Sequence, residues 1–178
     1  MKASPPPLTR PIRVETIPRE GLTMRIEANE AERLALAKFN NLPAVERLAA
    51  TFDLKPGAGG AVDVRGEVNA DVVQICVVTL EPFAAALVEP IDLRFTPPES
   101  EAAPAADADE REGVGVEEDL PDPIVDGAID LGALAAEFLT LGLDPYPRKP
   151  GVSFETSAEG WSSEASPFRE LAGPKKDD

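Results

Sequence analysis

Of 178 residues, one is cysteine, Cys76, and none is histidine. That inventory limits the chemistry open to the chain. A structural zinc site draws on four Cys or His ligands, commonly with a Cys-x2-Cys pair. The residue three positions after Cys76 is Thr79, so no metal site is expected. Without an imidazole no Cys–His or Ser–His pair can form, which leaves only Ser–Lys or Thr-based nucleophile schemes. Glu117, Glu118 and Asp119 could do acid–base work, but they lie in a run whose composition reads as unstructured, and catalysis needs fixed geometry. The Gly57–Gly60 loop lacks the Gly-Lys-Ser/Thr ending of a phosphate loop. The expectation is a protein that is not an enzyme, with no catalytic residues, no cofactor and no small-molecule substrate. Cys76 reads as a small apolar residue at a strand end.

Charge points to a different kind of work. The formal net charge is −16, and residues 98–126 hold eleven acids against one base, Arg111, or −10 of that total. Such a run reads as a solvated, disordered loop, or more sharply as a docking segment for a basic partner such as a ribosomal protein. A chain this acidic has no global attraction to phosphate. A local basic face could still be assembled from Arg10, Arg13, Arg19, Arg25, Arg33 and Arg47; ordinary surface solubility is the simpler reading of these arginines. Arg13, Arg19 and Arg25 are the candidate RNA contacts.

The elements that must carry these residues follow from periodicity. A chain of this length reads as one domain. Residues 1–10 read as a disordered, Pro-rich arm. Ile12–Glu15 and Leu22–Ala28 alternate as half-buried strands, with Pro18–Gly21 as the turn between them. Asn29 is an N-cap for a helix over 30–39, whose Leu34, Ala35, Lys38 and Phe39 recur at helical spacing. Residues 45–54 read as a strand with a slip near Arg47, and 55–60 as a turn suited to positive φ. The stretch 61–76 is too long for one flat strand, and Gly66 is expected to mark a bulge or bend. Residues 83–95 alternate again, and Pro90 argues for a sheet edge. After an unstructured acidic insert (98–122), Asp130 should cap a helix whose apolar face is Leu131, Leu134, Ala135, Phe138 and Leu141 or Leu139. The fold class is α+β: a twisted, mostly antiparallel sheet of about six strands with two helices over residues 11–147. Residues 148–178 read as a flexible tail containing a short apolar island, Ser166–Gly173.

No apolar run reaches the roughly 18–20 residues of a membrane span. The polar start Met1–Pro5 is unlike a signal peptide. A lone cysteine cannot form an internal disulfide, and the protein is expected to be cytoplasmic.

The stretch Gln74-Ile75-Cys76-Val77-Val78-Thr79-Leu80-Glu81-Pro82 resembles the YceD family, the large ribosomal RNA subunit accumulation proteins of bacteria and plastids. Many members carry Cys-x-Arg-Cys-Leu followed by an acid and Pro. Cys76, Leu80, Glu81 and Pro82 match that pattern, while Val78 and Thr79 replace the Arg and the second Cys. The result is similar to the alphaproteobacterial variant and removes any role a Cys pair would imply. Val64–Ala70 is similar to the family's Gly-containing strand, Ile129–Leu139 to its Asp-Leu helix, and Leu143–Pro147 to its proline-rich exit. Ser166–Leu171 is similar to its terminal Asn-Pro-Phe-like segment.

The resemblance implies a non-enzymatic role in accumulation or processing of 23S rRNA and in large-subunit assembly. Its partners would be an rRNA precursor or pre-ribosomal particle. No catalytic residues come with it. The candidate contact residues are Cys76, Leu80, Glu81 and Pro82 at the turn and Pro167, Phe168 and Leu171 in the tail; for the turn, a purely structural role is the simpler reading. The alternative function is an acidic adaptor or chaperone that binds a basic ribosomal protein through residues 98–126.

Overall fold

The computed structural model describes residues 6–98 and 121–153. Its centre is an antiparallel run of β2 (Leu22–Glu27), β3 (Ala44–Pro56), β4 (Val62–Ile75) and β5 (Pro82–Thr96). The two residues of β6 (Asp122–Pro123) add in parallel to the end of β5, giving a five-stranded sheet. A separate pair joins β1 (Pro11–Arg13) to β7 (Ala128–Asp130). Two helices, α1 (Glu30–Phe39) and α2 (Leu131–Leu141), complete an α+β domain.

Strand alternation builds the sheet as expected from composition. On β4, Val62, Val64, Val68, Ala70 and Val72 are buried while Arg65 and Glu67 are exposed, the period-two pattern of a sheet covered on one side. Phe52, Leu48 and Leu54 of β3 meet them from the neighbouring strand. The slip anticipated near Arg47 is present as a break in register between Val45 and Arg47. Gly66 is not a bulge, since it pairs in register with both Phe52 and Ile91. Its constraint is close approach: a Cβ there would lie 2.1 Å from the Thr51 carbonyl oxygen. Pro90 does sit at an edge, because β5 has β4 on one side and only the short β6, at Phe95 and Thr96, on the other. Gly59 and Gly60 take φ of 67° and 80° in the β3–β4 turn, as the sequence of that turn requires.

Three further expectations are corrected. The strands at Ile12 and Leu22 are not paired through the Pro18–Gly21 turn; β1 finds β7 and β2 finds β3. The helical stripe read from Leu34, Ala35, Lys38 and Phe39 is exposed, and α1 instead buries Leu36 and Ala37 against β3. Two apolar stripes compete on this ten-residue helix, and periodicity cannot rank them; packing against β3 does. Finally, residues 6–10 are packed, not free: Leu8 is 1% exposed within the core.

The fastening of that N-terminal segment centres on Asp130. Its carboxylate accepts from the Gly132 N–H at 2.9 Å and the Ala133 N–H at 3.1 Å, capping α2 as predicted. The same group accepts from the Arg10 N–H at 2.6 Å and from the Thr9 hydroxyl. Gly132 permits this approach, since a Cβ there would fall 2.6 Å from the Arg10 nitrogen. Arg10 then reaches α1, donating to both Glu32 oxygens at 2.8 and 3.0 Å. Glu32 also completes the capping box with Asn29. One chain of bonds thus joins α2, the N-terminal segment and α1. On α2, Leu139 is buried and Leu141 exposed, which decides between the two positions the spacing allowed.

Candidate functional site

The β4–β5 connection closes as a tight knuckle over Cys76–Glu81. The Cys76 N–H donates to the Glu81 carbonyl and the Leu80 N–H to the Cys76 carbonyl, each at 2.9 Å. Leu80 is held at φ +59°, a left-handed conformation that side-chain-bearing residues seldom adopt. Its side chain is 76% exposed, and Val77 and Ile75 are also open to solvent. Pro82 opens β5 and is exposed.

A second segment, distant in sequence, buttresses the knuckle. The Val77 N–H donates to the Pro147 carbonyl at 2.9 Å, and the buried Gln74 amide donates to the Asp144 carbonyl at 3.3 Å. The Asp144 carboxylate accepts from the Tyr146 N–H at 2.8 Å, which folds the Asp-Pro-Tyr-Pro exit into a turn. Lys149 bonds Glu81 through its ammonium at 3.2 Å. Tyr146 is 72% exposed beside them. Both stretches are legible in the sequence but their contact is not, because about seventy residues separate them and no local pattern links the two.

Cys76 lies at the junction. Its sulfur has no solvent exposure and accepts from the Lys149 N–H at 3.4 Å and the Thr79 N–H at 3.5 Å. The Lys149 N–H, then the Thr79 hydroxyl and N–H, lower its pKa to about 6 against the opposing effect of burial. The cysteine is therefore more than a small apolar filler: it is the acceptor that ties the exit segment to the knuckle. Among the described residues, no group of three or more Cys, His, Asp or Glu side chains is placed to hold a metal ion.

The candidate arginines are spread over different elements. Arg13 ends β1, Arg19 lies in the turn before β2, and Arg25 is on the face of β2 opposite Met24 and Ile26; all three are exposed. Among the described residues none of the three is in an ion pair, whereas Arg10, Arg47, Arg65 and Arg94 pair with Glu32, Asp71, Asp92 and Asp63. Two members of the six-arginine basic face, Arg10 and Arg47, are thus neutralised. Pro167, Phe168 and Leu171 lie outside the described residues.

The family model described as large ribosomal RNA subunit accumulation protein YceD matches residues 64–173, more than half of the chain. The chain belongs to the YceD family. The matched span holds the knuckle, α2 and the Asp144–Lys149 buttress, so the YceD match covers the whole of this site. It begins within β4 and leaves out Arg13, Arg19 and Arg25. No curated protein and no solved structure matches this YceD chain. The family's name associates it with accumulation of large-subunit ribosomal RNA. No helix among the described residues is long and apolar enough to cross a membrane.

Proposed function

We propose that this YceD chain is a non-enzymatic factor that supports accumulation or processing of 23S rRNA and assembly of the large ribosomal subunit. It works in the cytoplasm by contact with an rRNA precursor or pre-ribosomal particle. The observation that carries this reading is the buttressed knuckle: Leu80 and Val77 are exposed on a turn whose backbone is bonded on both sides, and Tyr146 is exposed on the segment that braces it. Rigid exposed apolar groups are suited to docking, because little conformational entropy is lost when a partner covers them. Cys76, Glu81 and Pro82 hold that surface in shape, and Leu80 is its contact group. Arg13, Arg19 and Arg25, unpaired among the described residues, supply the phosphate-facing charge.

The concentration of acid in residues 98–126, −10 of −16, favours a second reading: an adaptor for a basic ribosomal protein. A tagged pull-down from growing cells, washed at low and moderate salt, separates the two. Recovery of 23S precursor that falls with salt and with reversal of Arg13, Arg19 and Arg25 supports direct RNA contact. Recovery of one basic ribosomal protein without RNA, lost on neutralising the acidic run, supports the adaptor.

A further inference from the structure

Along α2, Ala133, Ala136, Glu137 and Thr140 form a single stripe at i, i+3, i+4 and i+7, with Ala136 buried and Glu137 and Thr140 exposed. With Phe39 at the end of α1 and Pro6 and Pro7 of the N-terminal segment, it walls a groove of about 400 Å³. The lining is almost wholly apolar, and Phe39 stands 67% exposed at its margin. Neither the knuckle nor Arg13, Arg19 and Arg25 line it. A monomer seldom leaves such a concavity uncovered without a use for it.

The groove does not end at Thr140. A second cavity shares that residue and is walled on its other side by Pro145 and Pro147 of the exit segment. The Thr140 hydroxyl donates to the Asn40 side-chain oxygen at 2.8 Å where the two meet. The exit segment runs past this second cavity to the knuckle, where Pro147 and Lys149 are bonded. Beyond Ser153 the sequence contains one cluster of apolar side chains, Pro167, Phe168 and Leu171, whereas Phe154 and Trp161 each stand alone among polar neighbours. In sequence Phe168 and Leu171 are three apart, and Arg169 between them is opposite in charge to Glu137, which lines the groove.

We propose that the groove between α1 and α2 is filled by this chain's own segment Ser166–Leu171, with Phe168 and Leu171 against Phe39, Ala133 and Ala136. Reach permits it: the fourteen residues from Ser153 to Pro167 span up to ~46 Å extended, against a domain diameter of about 35 Å. Docking within one chain also gives the short apolar cluster an effective concentration that a free peptide lacks. The N-terminal prolines and the C-terminal segment then share one seam over α2.

The test is methyl-resolved NMR on the full-length chain, wild type against F168A/L171A. The Ala133 and Ala136 methyls and the Phe39 ring should shift by more than a linewidth, while Thr51 and Val88 on the open sheet face stay put. Phe39→Ser, at an exposed position, should move the Leu171 methyls in return, and W161A should leave all of them unchanged. The proposal is overturned if Ala133 and Ala136 are unmoved, if W161A reproduces the shift, or if the shift vanishes on dilution. The last result would assign the groove to a second copy's segment.

Discussion

Cys76 is inaccessible to solvent, yet its sulfur is the meeting point of two backbone N–H groups, Thr79 and Lys149, that lie seventy residues apart in the chain. A thiol lowered to about 6 in the folded protein, against about 8.5 unfolded, binds fewer protons folded than unfolded between those values. Stability from this group is then fully present above about pH 8.5 and lost as pH falls through about 6. Wild-type thermal midpoints should accordingly rise from pH 6 to pH 8.5. Cys76→Ser keeps an acceptor and removes the titration, so its profile should be flat over that window. Leu80 separates stability from contact in the opposite sense. Its left-handed backbone suits glycine, and Leu80→Gly should leave stability unchanged or raise it by up to about 1 kcal/mol. If the exposed leucine is the contact group, the same variant should recover several-fold less pre-ribosomal RNA in the pull-down. Unchanged recovery would remove Leu80 from the site.

Asp130 does its work between elements: it caps α2, holds β1 beside β7 and positions Arg10 for Glu32. Burial opposes its ionisation most strongly, but the Thr9 hydroxyl and the N–H groups of Arg10, Ala133 and Gly132 together hold its pKa below the usual carboxylate value. Glu32 is lowered chiefly by its hydrogen bonds from Arg10. Both groups add stability that is complete above their unfolded pKa values, near 4, and is lost as pH falls through the lower folded ones. Asp130→Ala should cost about 1–2 kcal/mol in urea unfolding at pH 7. Asp130→Asn keeps a good cap and should cost less at pH 7, with a shallower loss of stability below pH 4. Equal acid profiles for Asn and wild type would show that the charge contributes nothing. The helix cap was legible from spacing alone; the bond to Arg10 was not, because Arg10 and Asp130 lie 120 residues apart and only β1–β7 pairing brings them together.

Across the molecule, the sheet's open face carries paired charges, with Arg65 bound to Asp92, Arg94 to Asp63 and Arg47 to Asp71. Arg25 lies on that same face, in register with Thr51, and Arg13, Arg19 and Arg25 all fall outside the span matched by the family model. Reversing all three to Glu should leave unfolding free energy within about 0.5 kcal/mol of wild type, as exposed substitutions do. RNA recovery should fall, and its salt dependence should flatten. Retained recovery with an unchanged salt slope would assign RNA contact elsewhere.

Much of this protein could be read from its residues. The absence of histidine and of a second cysteine, the alternation of the long strands, the Asn29 and Asp130 caps and the edge position of Pro90 are local or compositional properties, and neighbours a few residues away suffice to specify them. The order of residues around Cys76 and Leu80 also carried the family. Tertiary structure alone decided which face of α1 is buried, that Leu8 belongs to the core, and that Asp144–Lys149 braces the knuckle. Each of these depends on groups far apart in the chain. Burying apolar area rewards any partner of suitable shape, so a local pattern shows that a face is apolar without showing what will cover it.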